Sequence, residues 1–109
     1  MEQNVTRFAD IKPVFAFQGI ARRTLNWGEQ AMLLQNNFNA GSSVPEHAHS
    51  NEQISYVVEG SLVVEMSGTT YTLNAGDSIL LPSNVSHSAA APSGAVVIEV
   101  FAPPREDFK

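Results

Sequence analysis

The stretch Gly41-Ser42-Ser43-Val44-Pro45-Glu46-His47-Ala48-His49-Ser50-Asn51-Glu52-Gln53-Ile54-Ser55-Tyr56-Val57-Val58-Glu59-Gly60 decides how this chain is read. His47 and His49 stand two apart in it. On an extended chain, side chains two apart point to the same face. Gln53 keeps that parity four residues later. A turn near Ser50-Asn51 would disturb the register, so parity alone leaves two readings open: convergent metal ligands, or solvated loop residues. The third histidine, His87, lies far downstream, just after Pro82-Ser83-Asn84. A barrel would bring it beside the other three side chains.

The sequence around this stretch reads as short strands between turn residues. Residues 29–38 end at Asn39-Ala40-Gly41, and residues 54–58 form a β-branched and aromatic run. Residues 61–66 follow at once, which reads Glu59-Gly60 as a hairpin turn. Ser67-Gly68 is the next turn, followed by a strand over 69–73. Asn74-Ala75-Gly76-Asp77 then turns into a strand over 79–81, and a valine- and isoleucine-rich strand covers 95–101. This spacing predicts an all-β sandwich or barrel in a single domain over residues 1–109. No segment carries a helical period. Residues 7–11 are the best short-helix candidate, stopped by Pro13, and residues 103–109 read as coil or one helical turn.

The 43% hydrophobic content supports a packed core. A chain of 109 residues hides surface with modest efficiency, which favours a homodimer. With no cysteine, disulfides and thiolate chemistry are excluded, and a metal must be held by nitrogen and oxygen. A net charge of −5 with six lysines and arginines argues against nucleic acid. Arg22 and Arg23 are adjacent, so on a strand they face opposite sides and make no basic patch. The start, Met1-Glu2-Gln3-Asn4-Val5-Thr6-Arg7-Phe8, lacks the apolar run of a secretory leader, and no stretch reaches membrane-spanning length. A cytoplasmic protein without membrane contact is therefore expected.

The glycine, proline and histidine spacing resembles the cupin family. Gly41, His47, His49, Gln53 and Gly60 are spaced like its first motif (41–60); Gly76, Pro82, Asn84 and His87 are spaced like its second (76–87). The resemblance implies a jelly-roll β-barrel and a metal site of His47, His49, Gln53 and His87. Gln53 stands where the motif has glutamate, and Asn84 where it has glycine. Asparagine is the non-glycine residue best suited to a left-handed turn. Three imidazoles and a carboxamide oxygen neutralise none of a divalent ion's charge. Such a site suits Lewis-acid work on an anionic or carbonyl-bearing substrate. Ni, Zn, Fe, Mn and Cu all fit the ligand types.

A narrower resemblance rests on His47-Ala48-His49-Ser50-Asn51-Glu52-Gln53 and on Val97-Ile98-Glu99-Val100-Phe101-Ala102-Pro103-Pro104-Arg105-Glu106-Asp107-Phe108. From about Gly19 to Phe108 the chain is similar to the KdgF-type cupins of pectin and alginate breakdown. That implies an enzyme linearising 4,5-unsaturated uronates. The family's acidic, phenylalanine and arginine residues fall on Glu99, Phe101 and Arg105. Glu99, where the family has aspartate, would be general acid or base; Arg105 would hold the sugar carboxylate, and Phe101 would pack on the ring. From the residues alone, Glu99 shares a strand face with Val97 and Phe101, as either an edge glutamate facing water or a pocket carboxylate. Arg105 reads equally as a tail charge, and Phe101 as plain core. A metal-dependent dioxygenase and a non-catalytic sugar- or anion-binding cupin are the other functions weighed.

Overall fold

The computed structural model describes residues 3–109. The reading of the N-terminus rests in part on Met1 and Glu2, which lie outside the described residues. Among the described residues, eight strands run in chain order: β1 Ile20–Trp27, β2 Met32–Phe38, β3 Ser42–His47, β4 Glu52–Met66, β5 Thr69–Asn74, β6 Ser78–Leu81, β7 His87–Ala91 and β8 Ala95–Ala102. Short 3-10 turns cover Phe8–Asp10 and Glu106–Phe108. The strands form a curled antiparallel sheet in the order β1-β2-β8-β4-β7-β3, with β5 and β6 also pairing with β4. This is the all-β architecture that the strand spacing predicts and the cupin resemblance implies. No helix among the described residues is long and apolar enough to cross a membrane.

The strand β4 makes the sheet curl, and it corrects one expectation. Glu59-Gly60 is not a hairpin turn, because β4 runs unbroken through it for 15 residues. Its first half pairs with β6 and β8, and its second half with β5 and β7. Between them the pairing with β8 slips by one residue, from Val57↔Val97 to Glu59↔Val96. A one-residue bulge reverses which face each later side chain takes. Accordingly, Gln53, Ser55 and Val57 are buried before the slip, and Leu62 and Val64 after it. The strand thus keeps feeding one interior while it crosses from one half of the sheet to the other.

Gly60 permits the crossing. Its φ is +76°, and a Cβ there would lie 2.2 Å from the Gly94 carbonyl oxygen. The residue that reads as a turn glycine is a close-approach glycine in a bent strand. Behind it, Ile20, Phe38, Val57, Leu62, Val64 and Val97 form the core. A smaller cluster of Met32, Leu34 and Phe101 closes one end, with Phe108 packed against it.

The glycines offer a paired test. Gly68 also has a positive φ, +77°, but nothing lies within 4 Å of its would-be Cβ. Gly68→Ala should cost about 1 kcal/mol of left-handed strain. Gly60→Ala adds a backbone collision and should cost about 2–4 kcal/mol. Denaturant unfolding of the two variants measures the difference; equal losses would discount the close approach.

Candidate metal centre and its pocket

The three histidines converge although they come from different segments. His47 ends β3, His49 lies in the following loop, and His87 opens β7 opposite His47. Their ring centroids are 4.4 Å (47–87), 5.1 Å (49–87) and 5.7 Å (47–49) apart. One ligand atom from each falls in a set no more than 4.8 Å across. Asn84 helps bring the segments together. Its φ is +63°, in the left-handed region that asparagine tolerates, and its N–H donates to the His49 carbonyl at 2.8 Å.

The hydrogen bonds fix the tautomers. Each Nδ1 lies 2.9 Å from a backbone carbonyl oxygen: Pro45 for His47, Asn51 for His49 and Val85 for His87. A carbonyl only accepts, so each Nδ1 carries the hydrogen, and in the neutral imidazole Nε2 is then the lone-pair nitrogen. This is how metal-binding histidines are oriented from behind. His87 Nε2 is buried with no hydrogen-bond partner. Burial, the largest effect, holds the His87 pKa below the ordinary imidazole value; His47, His49 and Arg105 add to this, against the Val85 bond. Burial and neighbouring positive charge thus disfavour a proton on this nitrogen.

Gln53 places a fourth candidate donor beside the three histidines. Its Oε1 lies 3.0 Å from His49 Nε2. With His49 Nδ1–H given to Asn51, that contact sets two acceptors against each other in the neutral ring, and a shared cation relieves the conflict. The amide cannot flip, because its Nε2 donates to Ser55 Oγ at 3.0 Å and to Glu99 Oε2. The orphaned His87 nitrogen and this acceptor pair fit a divalent ion held by His47, His49, Gln53 and His87. The neighbouring Glu52 is exposed on the opposite face, as parity requires.

Glu99 is not an edge residue facing water. The strand β8 lies between β2 and β4, and Glu99 is only 8% exposed. Its Oε2 accepts from Ser55 Oγ at 2.5 Å and from Gln53, and its Oε1 accepts from Asn36 Nδ2 at 2.5 Å. Three donors satisfy a carboxylate that would otherwise be costly to bury. Asn36 and Ser55 were not singled out from the sequence. The signal for both was parity: Asn36 shares a face with the buried Leu34 and Phe38, and Ser55 with Gln53.

A cavity of about 470 Å³ opens onto this centre, lined by His47, His87, Gln53 and Glu99. The chain's last residues form one wall. Asn51 Nδ2 donates to Pro103 O at 2.6 Å, and Thr24 Oγ1 donates to Phe108 O at 2.6 Å, pinning this segment across β1. Phe101, 2% exposed, packs edge-on against His49 at 5.5 Å and Phe108 at 5.8 Å. Arg105 lies over the Phe108 ring at 3.9 Å and is paired with Asp107 at 3.0 Å. Arg22 also lies over Phe108, at 3.9 Å, and lines the cavity with Asp107. The sequence points to none of Arg22, Asp107 and Phe108: adjacent arginines make no patch, and a coil segment has no periodicity to show where it lies. Arg23 points the other way, over Phe8 at 4.9 Å.

The fold, the motif spacing and the four converging donors define a class. The cupin domain family model (Cupin_2) matches residues 36–101, and the chain belongs to the cupin family. It is similar to Pectin degradation protein KdgF of Dickeya dadantii (strain 3937), 33% identical over 92 residues, covering 83% of this chain and 84% of that one. The crystal structure of a RmlC-like cupin from Shewanella frigidimarina NCIMB 400 superposes with a TM-score of 0.92 at 33% identity, covering 99% and 97% of the two chains. The structure of KdgF from Halomonas sp. superposes at 0.91 with 27% identity, covering 99% of this chain and 100% of that one.

If the four donors hold an ion, added Ni²⁺ or Zn²⁺ should raise the melting temperature, and His87→Ala should abolish the rise. Burial depresses the His87 pKa, so the unfolded chain takes that proton first. The stability due to neutral His87 is complete above the ordinary imidazole range, about 6.5, and is lost as pH falls through the lower folded value. Metal-free protein should therefore be destabilised by acid across that window, and His87→Ala should flatten the slope.

Proposed function

We propose that this cupin is an enzyme that converts 4,5-unsaturated uronate monosaccharides, left by pectin or alginate lyases, to linear 4-deoxy-5-keto uronates. The observation that carries the reading is a buried carboxylate, Glu99, hydrogen-bonded to a candidate metal ligand, Gln53, in a cavity that also holds Arg105. The similarity to KdgF supports the substrate class. A non-catalytic binding module has no evident need for a carboxylate so enclosed.

In the substrate, the C4–C5 double bond is an enol ether conjugated to the C6 carboxylate. A proton adds at C4 and the oxygen of water at C5, giving a hemiketal. The bond from C5 to the ring oxygen then breaks. The C5 hydroxyl proton leaves, the ring oxygen gains one, and C5 becomes a ketone. C1 is left as a hydrated aldehyde that loses water, so the net change is an isomerisation. In this proposal Glu99 moves the proton, directly or through one water. Arg105 holds the sugar carboxylate with paired hydrogen bonds. Phe101 and the Phe108 that covers it form the apolar wall beside the ring. A divalent ion held by His47, His49, Gln53 and His87 would polarise the substrate carboxylate or an adjacent oxygen as a Lewis acid.

We further propose a homodimer. Ile54, Tyr56, Val58 and Leu80 are 44–50% exposed on the outer sheet face, with Ile54 opposite Leu80. An apolar patch of this kind suits a second copy. Light scattering should give twice 11.8 kDa, and Ile54→Lys should shift the protein toward monomer. A monomer at all concentrations would exclude the dimer.

The catalytic test follows the ultraviolet absorbance of lyase-generated unsaturated galacturonate mixed with metal-loaded protein. Loss should be faster than in buffer and abolished by chelator or by His49→Ala. Glu99→Gln should lower kcat at least a hundredfold, in the range for loss of a general acid or base. Turnover at the wild-type rate by a Glu99→Gln protein of normal metal content would refute the role of Glu99. No acceleration with either the pectin- or the alginate-derived monomer would refute the reaction.

A further inference from the structure

The candidate metal centre and Glu99 use only part of the cavity. Its outer part holds three charged groups around one aromatic ring: Arg22 from β1, and Arg105 and Asp107 from the C-terminal segment. The guanidinium carbons of Arg22 and Arg105 each lie 3.9 Å from the Phe108 ring centroid. They are therefore no more than twice that distance apart. A guanidinium carbon lies on the order of 4 Å from the carbon of a carboxylate it binds through paired hydrogen bonds. Both flank the same ring and line the same cavity, so an anion at the rim of that ring faces both guanidiniums.

Asp107 shows that this corner accepts one. Its carboxylate takes hydrogen bonds from Arg105 Nε at 3.3 Å and from a terminal Arg105 nitrogen at 3.0 Å. Burial works to raise the Asp107 pKa, but Arg105 and then Arg22 outweigh it and hold the carboxyl below its usual value. Burial lowers the Arg22 pKa from its ordinary value; Asp107 offsets this and Arg105 adds to it. Asp107 is hydrogen-bonded to Arg105, and Arg22 acts on it through charge alone. Asp107 is 64% exposed, so it can swing toward water.

We propose that Arg22 is a substrate-binding residue, forming with Arg105 a two-arginine subsite for the carboxylate of a uronate, with Asp107 as an internal placeholder that the sugar carboxylate displaces. The proposal rests on the uronate reading above and adds a residue from the opposite end of the chain. It gives Arg22 a role distinct from that of its neighbour Arg23, whose guanidinium leaves the cavity for Phe8 and the Ile11 carbonyl. It also gives Thr24 one: the bond to Phe108 O keeps the aromatic platform under both guanidiniums.

The test is calorimetric titration of metal-loaded protein with saturated galacturonate, which cannot react, and with galactose, its uncharged counterpart. Arg22→Gln should weaken galacturonate binding at least tenfold and leave galactose binding unchanged. Arg22→Lys should recover only part of the loss, because an ammonium lacks the paired donors. Asp107→Asn should tighten galacturonate binding several-fold by removing the competing carboxylate, an effect a merely structural role would not produce. Arg22→Gln binding galacturonate like wild type would overturn the proposal, as would an equal loss for galactose. Wild type that does not prefer galacturonate over galactose would overturn it together with the substrate class. An Arg22-dependent preference in a protein that leaves unsaturated uronates unchanged would sustain the subsite and refute the catalytic reading.

Discussion

The contact between Gln53 and Glu99 governs the rest of the centre. A carboxylate on a central strand is unfavourable unless every lone pair in reach finds a donor. Here the donors come from both neighbouring strands, Asn36 on β2 and Ser55 and Gln53 on β4. The arrangement ties three strands at one point and fixes the Gln53 amide with its oxygen toward His49. It also accounts for an amide where the motif has glutamate. A carboxylate at position 53 would sit against the Glu99 carboxylate, and two like charges at hydrogen-bond distance cannot both ionise. The negative charge that the motif carries at this position is here one hydrogen bond behind it.

That contact depends on the path of β4. Gln53 and Ser55 face inward because they precede the bulge, and Leu62 and Val64 face inward because they follow it. Without the slip, one half of the strand would turn its apolar side to water. The slip requires the backbone to pass close to the Gly94 carbonyl, which only glycine permits. The core and the site therefore share one device. The same strand anchors the sheet that brings His87 to His47, and the left-handed Asn84 then joins the second motif to His49 through a backbone bond.

The sequence revealed what periodicity and spacing encode. Alternation exposed β4 and β8, and glycine, proline and histidine spacing exposed the two motifs and the four side chains that converge. It did not distinguish a bend from a turn at Glu59-Gly60, since both use a positive-φ glycine between β-branched runs. Nor did it reveal β7, whose His87-Ser88-Ala89-Ala90-Ala91 lacks β-branched residues and is a strand because β3 and β4 flank it. Glu99 remained ambiguous because burial of a lone carboxylate depends on donors from other strands. Asn36 is the donor whose parity carried the hint. Arg22 and the C-terminal wall were hidden for a different reason: their meeting is a long-range contact between the chain's two ends.

The charge distribution also becomes intelligible at this scale. A net charge of −5 argues against anionic ligands only if it acts uniformly. At physiological salt, exposed charges are screened beyond about 8 Å, so a pocket responds to its own walls. Those walls hold the imidazoles of His47 and His87, the Gln53 amide, one carboxylate bonded to three donors, and two arginines with one aspartate. Any cation at the four donors adds to the positive side. The fold alone does not select a substrate, since one barrel serves many chemistries. Within the pocket the charges are separated rather than unbalanced: Glu99 lies deep beside Gln53, and the arginine pair meets Asp107 at the outer wall.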